Sequence, residues 1–433
     1  MSSLRNLYLT LTVGQSVRDF LIIGTARRLL DILPDFRIVI LSPAYNVPEF
    51  LDLCPRDERL LVRRTEIPNT GSNWRFIHWR LRLHNRNAIR LMLDWESRRL
   101  RLPPYLASTF QELPPSLVVT THPRTTYEYD IVMRARRLGV QTLGVVKSWD
   151  NIGKGLSSQP HLLCVWNPVN KQEASDILCY RQDEVEITGS PSFDAYFDNA
   201  YCLPRSEFFH SMGLDPSRPL ITLATVGIMD RGFYGRDETH LVDDMLRMIK
   251  ESPILKKAQL MIRLHPNSRL DFFWKYWNRA DIKFSFVSYM PGILWCPNRQ
   301  DLMEQTNLLR HSDVIVTPTS SWGLEAAIFD RPTVVPVYSD LQPDHATAQF
   351  DEWSLARHYK PLMQNNWVPI TRSYEETRKS IEDGITEPAK YAGGRKSIVE
   401  NYIYYRDNSS CQRVAAWIAN IARSTRTGKT RGF

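Results

Sequence analysis

Leu7-Tyr8-Leu9-Thr10-Leu11-Thr12-Val13 is an apolar run of strand length. Gly14 follows it, then apolar positions at helical spacing from Val17 to Leu33, then Arg37-Ile38-Val39-Ile40-Leu41. Strand, glycine turn, amphipathic helix and strand in that order make a βαβ unit. Working outward, the same order returns at 117–121 (strand), 127–138 (helix) and 140–146 (strand). It continues with strands at 162–165 and 184–188 and a helix at 169–178. Strands alternating with helices predict a parallel sheet covered on both faces. Gly189-Ser190-Pro191 closes that series, and the polar stretch to Pro219 holds one short helical pattern at 205–212. A second series then places strands at 220–224, 259–264, 313–317 and 333–337, with helices at 237–250, 299–310 and 322–329.

The fold class expected from this pattern is α/β, with two Rossmann-like doubly wound parallel-sheet domains facing a cleft. Residues 1–190 form the first and 191–394 the second. A helical pattern over 395–422 is expected to cross back onto the first domain, and 423–433 reads as a disordered basic tail. Composition agrees with a multidomain globular chain: 433 residues, 43% hydrophobic and 11% aromatic. Wholesale disorder and collagen-like repeats are excluded. The longest apolar stretches, such as Phe20 to Ile23 and Leu162 to Trp166, fall far short of the ~18 residues a membrane-spanning helix needs. No signal peptide is evident, so the expected location is the cytoplasm. Six cysteines are scattered, with no Cys-x-x-Cys pair and no zinc spacing.

In an open parallel sheet, ligands bind beyond the carboxyl ends of the strands, where loop and helix N–H groups point outward. The polar residues just after each strand are therefore the candidates. In the second domain these are Thr225 and Gly227, then Arg263 with His265, then Ser320, Ser321 and Glu325. The serine hydroxyls and N–H groups suit a phosphate, and a carboxylate one turn into the helix can accept both hydroxyls of a ribose. Plain helix capping and an ordinary strand-to-helix turn are the competing readings. In the first domain Gly14 with Gln15 and Ser16 follows one strand. His122 and Asp150 each follow another, and either could take a proton from an attacking hydroxyl. The alternative is a turn begun by Asp150 and a His122 bonded to a neighbouring carbonyl. Phosphate-loop, dinucleotide-fingerprint, zinc-protease and serine-hydrolase motifs are absent, and no Asp-x-Asp pair suggests a metal on a diphosphate. No metal and no cofactor are expected; leaving-group charge would fall to helix N-termini and to Arg263.

Arg263-Leu264-His265-Pro266 is similar to the His-Pro motif of CDP-glycerol glycerophosphotransferases. Asp313 through Pro332 resembles a donor site with an Asp-Val-Ile-Val strand, a Ser-Ser loop, an acid in the next helix and a closing Arg331-Pro332. Ser148-Trp149-Asp150-Asn151, Val165-Trp166-Asn167 and Thr188-Gly189-Ser190-Pro191 resemble bacterial surface-polysaccharide transferases. Together these segments resemble the GT-B superfamily of glycosyltransferases, in the group related to those glycerophosphotransferases and to UDP-N-acetylglucosamine 2-epimerases. The resemblance implies a nucleotide-activated sugar donor on the second domain, with the serines on its diphosphate and Glu325 on its ribose. It implies a catalytic or donor-phosphate role for His265, and a glycan or lipid-linked acceptor. Leu324-Glu325 in place of the glycerophosphotransferases' Phe-Asp favours sugar transfer over polyol-phosphate transfer. A non-catalytic nucleotide-sugar or glycan-binding protein is the reading from another class.

Net charge is +8, and eight arginines against Asp94 and Glu96 between Trp74 and Arg101 account for +6 of it. On a helix, Ile77, Leu81, Ala88, Met92 and Trp95 share one face, while Arg75, Arg82, Arg86 and Arg90 share another with Trp79 and Leu83. A cationic face with aromatic insertions suits an anionic membrane surface, which predicts peripheral attachment at the inner face of the plasma membrane. A solvated arginine face on a core-packed helix is the alternative. No nucleic-acid motif accompanies the basic residues, so nucleic acid is not expected as a partner.

Overall fold

The computed structural model describes residues 4–66, 85–227, 238–318, 320–338 and 365–425. They form two compact units. The first holds the described residues of 1–197, 288–298 and 407–433, and the second those of 198–287 and 299–406.

Seven strands build the first sheet: β1 (Arg5–Thr10), β2 (Phe36–Ser42), β3 (Leu60–Arg64), β4 (Pro115–Thr120), β5 (Gln141–Val145), β6 (Leu162–Val165) and β7 (Val185–Ile187). Their order is β3-β2-β1-β4-β5-β6-β7, with every pair parallel. Helices on both faces explain why these strands read as continuous Val, Ile and Leu runs. Chain order reverses between β1 and β4, which makes their carboxyl ends a topological switch point. The helical pattern from Val17 to Leu33 is broken in two. A short helix at Gly14–Val17 widens into a π-turn at Arg18–Ile22, and a new helix runs over Thr25–Ile32. Gly24 makes the break with φ +95°, in the left-handed region.

The second sheet holds β8 (Leu220–Ala224), β9 (Gln259–Arg263) and β10 (Ile282–Ser285). After an antiparallel pair, β11 (Tyr289–Met290) and β12 (Leu294–Trp295), it adds β13 (Val314–Val316), β14 (Thr333–Pro336) and β15 (Ile370–Thr371). Strand order is β10-β9-β8-β13-β14-β15, again all parallel, with its reversal between β8 and β13. β3, β10, β15 and the β11–β12 pair are elements the sequence pattern did not mark.

Two segments remote in sequence complete the first core. Met290, Ile293 and Cys296 of the β11–β12 segment are buried in it, as are Val414, Ala415, Ile418 and Ala419 of the helix Ser410–Ser424. A Cβ on Gly14 would come within 2.1 Å of the Trp295 carbonyl oxygen, so the loop after β1 requires glycine for this packing. The carboxylate of Asp194 accepts from the Ser410 N–H at 2.9 Å and the Cys411 N–H at 2.8 Å, capping the start of the last helix. The single helical pattern over 395–422 is three elements: Ala392–Ile398, a π-turn at Val399–Ile403 and the helix Ser410–Ser424, with Tyr404 at φ +65° between them. The second core gathers Ile221, Leu223, Ile262, Val314, Val316 and Val334 with Val242 and Met245 of the Thr239–Glu251 helix. Among the described residues no helix is long and apolar enough to cross a membrane.

Candidate functional site

At the switch point of the second sheet, three adjacent strands deliver the expected loops to one edge. Thr225 follows β8, and its hydroxyl oxygen accepts the His265 N–H at 2.7 Å and lies 2.9 Å from the Ser268 hydroxyl. Gly227 has φ +74°, and a Cβ there would sit 2.6 Å from His265 Nδ1. Glycine is thus required both by the backbone and by the imidazole. His265 Nδ1 accepts the Asn267 N–H at 3.1 Å, so the neutral ring carries its proton on Nε2. Burial, with the Arg263 charge adding, holds its pKa down to about 4. His265 is therefore a neutral hydrogen-bond donor at pH 7.

On the other side of the switch, the Thr317 hydroxyl following β13 donates to the Ala224 carbonyl at 2.9 Å and ties the two loops together. Ser320 and Ser321 are half-buried ahead of the helix Trp322–Ile328. The Ser321 side chain makes no capping bond, while Ser320 Oγ accepts the Trp322 N–H at 3.3 Å. Glu325 is buried and accepts from Gln305 Nε2 at 3.0 Å.

Arg263 is placed differently from the expectation that it would meet a donor phosphate. It is 4% exposed, and its Nη1 donates to Ser285 Oγ at 2.6 Å, to the Phe286 carbonyl at 2.7 Å and to Glu304 at 3.2 Å. A guanidinium buried to this degree must be paired, and Glu304 on the neighbouring helix is the partner. Glu238 was missed by sequence reasoning because it lay inside a predicted helix. Its carboxylate accepts the Val226 and Gly227 N–H groups at 2.9 and 3.0 Å and so shapes the loop after β8.

The first sheet's switch point is organised by another residue that sequence reasoning missed. Glu128 is fully buried; its two oxygens accept from the hydroxyls of Thr10, Thr12 and Thr120 and from the His122 N–H at 3.0 Å. Burial raises its pKa, and these hydrogen bonds oppose the rise. The signal was the threonine at the end of each switch strand, Thr10 and Thr120, which lacked only a named acceptor. His122 is 4% exposed, with Nδ1 3.1 Å from the Thr125 hydroxyl. Burial pushes its pKa well below the usual imidazole range, and the charges of Lys147 and Arg124 add to that. Lys147 lies two residues past the end of β5, with Nζ 3.0 Å from Gln15 Oε1. Desolvation brings its pKa down to about 8 against the pull of Glu128. Asp150 is ion-paired with Lys154 and accepts from Ser148 Oγ at 2.6 Å and Asn151 Nδ2 at 3.2 Å.

Arg75, Trp79 and Arg82 of the expected membrane face lie outside the described residues. Arg86 and Arg90 begin the helix Arg86–Arg99, capped by Asn85, which accepts the Ala88 N–H at 3.1 Å. Both arginines turn to the buried carboxylate of Glu184, Arg90 at 3.5 Å, because that carboxylate requires compensation. Among the described residues no group of three or more His, Cys, Asp or Glu side chains is disposed to hold a metal ion, and all six cysteines are free.

No family model and no curated protein matches the chain. Solved structures match over almost its whole length. MnaA from S. aureus, in a co-structure with UDP, has TM-score 0.57 and 13% identity, covering 97% of each chain. The wall teichoic acid polymerase TagF has TM-score 0.56 and 13% identity over 97% of this chain and 90% of its own. A UDP-N-acetylglucosamine 2-epimerase has TM-score 0.54 and 13% identity over 98% and 97%. The fold is GT-B, as the sequence resemblance implied.

Proposed function

We propose that the chain is a glycosyltransferase that moves a sugar from a nucleotide-activated donor to a cell-surface polysaccharide or lipid-linked acceptor, without a metal. The observation that carries this reading is the gathering of Thr225, Gly227, His265, Ser320, Ser321 and Glu325 on three adjacent strand ends at the second sheet's switch point. Such an edge offers N–H groups, hydroxyls and a neutral imidazole donor to a diphosphate, and a carboxylate to ribose hydroxyls. The likeness in fold to a UDP-bound structure and to a polymerase supports a nucleotide-linked donor.

In this reading the first unit holds the acceptor. The acceptor hydroxyl oxygen bonds to the anomeric carbon, the bond from that carbon to the diphosphate oxygen breaks, and the nucleoside diphosphate leaves with the electron pair. The hydroxyl proton passes to His122 or Asp150. His122 is neutral and so able to accept it, whereas Asp150 must first loosen its pairing with Lys154. Arg263 acts behind the site, holding β9 to Glu304, rather than on the donor.

The test is a thermal-shift screen of nucleoside mono- and diphosphates combined with a donor and acceptor panel. A cognate nucleoside diphosphate raises the melting temperature of the wild type. His265→Ala lowers donor affinity about tenfold or more, the loss of one charged hydrogen bond. His122→Ala or Asp150→Asn lowers turnover about a hundredfold with donor affinity kept. The reading fails if no nucleotide stabilises the protein, or if His265→Ala binds and turns over the donor normally. Nucleotide binding without turnover across the panel would instead indicate a binding protein.

A further inference from the structure

Under the helix Arg86–Arg99 lies a pocket that sugar transfer does not use. It is a cavity of about 40 Å³ at the amino ends of β6 and β7, away from the strand ends that carry the candidate site. Arg86, Arg90, Arg136, His161, Tyr180 and Glu184 are among the residues that line it. Arg86, Arg90 and, from outside the lining, Arg181 approach the one carboxylate of Glu184, while Arg136 donates from Nη2 to the Gln159 carbonyl at 3.2 Å. Glu184, with a side chain 5% exposed, pairs with Arg86 and lies 3.5 Å from Arg90. Asp94 comes within 3.6 Å of Arg136, but its side chain is 53% exposed and looks to water, whereas that of Arg136 is 9% exposed.

Positive charge thus exceeds negative inside the pocket, and one donor there has no acceptor: Arg86 Nη1 is buried without a hydrogen-bond partner. Buried donors are nearly always satisfied, and an orphan one marks the place of a water or an ion. His161 also lines the pocket. Its Nδ1 accepts the Thr142 N–H at 3.1 Å, which leaves the proton of the neutral ring on Nε2. Burial, with the charges of Arg136 and Arg90, holds its pKa down to about 3. Desolvation and then the Arg86 charge lower the pKa of Arg90 as well, against the pull of Glu184. The space is several times the roughly 10–15 Å³ that admits one water. Arginine forks match the oxygens of a phosphate in number and geometry. Arg86 and Arg90, with side chains 24% and 33% exposed, leave the pocket open to solvent on the helix side.

We propose that this pocket is an anion site that takes a phosphate group, either as inorganic phosphate or as the phosphate of a lipid headgroup. It accounts for Arg86 and Arg90, the two described arginines of the expected membrane face, which turn inward rather than to a cationic surface.

The experiment is hydrogen–deuterium exchange of the full chain. One arm adds inorganic phosphate up to about 10 mM, ten times a Kd of ~1 mM. The others add phosphatidylglycerol vesicles or phosphatidylcholine vesicles. Two variants are compared: Arg90→Gln, which leaves Arg86 on Glu184, and Arg86→Lys, which keeps a charge there but removes Nη1. Slower exchange in 86–99 and 159–161 with inorganic phosphate, lost or weakened at least fivefold in either variant, supports the site with a soluble ligand. The same slowing with phosphatidylglycerol alone, and none with phosphatidylcholine, supports the site with a headgroup. No slowing under any arm, or slowing that survives unchanged in both variants, overturns it.

Discussion

Glu128 shows how much a single buried carboxylate organises. It collects hydroxyls from the ends of β1 and β4 and the N–H of His122, so its loss would leave several buried polar groups without partners at once. Glu128→Ala is expected to cost ~3 kcal/mol or more in urea unfolding, since each stranded group forfeits about 1–3 kcal/mol. Glu128→Gln keeps the shape and one acceptor oxygen, and should cost about 1 kcal/mol. Equal losses for the two variants would contradict the network. The histidines give a second residue-level expectation. His265 and His161 are held neutral, with pKa values down to about 4 and about 3, against ~6.5 for a free imidazole. Below that value the unfolded chain takes up protons that the folded protein refuses, so their contribution is complete above about pH 6.5 and is lost as pH falls toward 4 and 3. A melting temperature recorded from pH 7 to 4.5 should therefore decline, on the order of 2 kcal/mol per ring. His265→Asn and His161→Asn should each flatten part of that decline, and a level wild-type profile would refute the assignment.

At the scale of elements, the helix Ser410–Ser424 depends on a carboxylate more than 200 positions earlier. Asp194 bonds its first two N–H groups, and burial raises the pKa of that carboxyl while those bonds oppose the rise. Asp194→Ala is expected to cost about 1–2 kcal/mol, the range for a lost N-cap. The first signs should be faster amide exchange in 410–424. If exchange there is unaltered while another region loosens, the cap is not what holds this helix. Asp194 could not be recognised from its neighbours, since Ser190 to Tyr196 reads as a polar linker after β7. The strands were easier. β8 has the bounds its hydrophobic run predicts, and β4, β5 and β9 agree to within two residues at either end. β10 and β15 passed unmarked because they are short and only partly apolar, Ile282–Ser285 and Ile370–Thr371. The widened helix at Arg18–Ile22 leaves no trace in a periodicity sum.

For the whole molecule, the first unit is assembled from three stretches of chain. Val414, Ile418 and Ala419 of the last helix and Met290, Ile293 and Cys296 near β11–β12 are part of its core. Each large aliphatic side chain buried there contributes about 1.5–3 kcal/mol relative to exposure. A fragment of residues 1–197 expressed alone should accordingly lack a cooperative thermal transition. Co-expression with 407–433 should recover part of it, more so with the 288–298 segment also present. A fragment 1–197 that unfolds sharply by calorimetry would show that these segments are accessory.

The chain's own sequence determined the alternation of strand and helix, the division into two parallel sheets, the positions of His122, Asp150, Thr225, Gly227, His265 and Ser320 in the loops after strands, and that of Glu325 in the helix that follows. Those follow from local rules, because hydrophobic period and turn chemistry act over a few residues and polar residues after buried strands must lie at the sheet's carboxyl edge. Tertiary structure alone decided the inward turn of Arg263 onto Glu304 and of Arg86 and Arg90 onto Glu184. It also decided the acceptor role of Glu128 and the incorporation of 288–298 and 410–424 into the first core. Each of these depends on which distant group meets a buried charge or an apolar face. A sequence states that a side chain needs a partner, and only the folded chain supplies the one it finds.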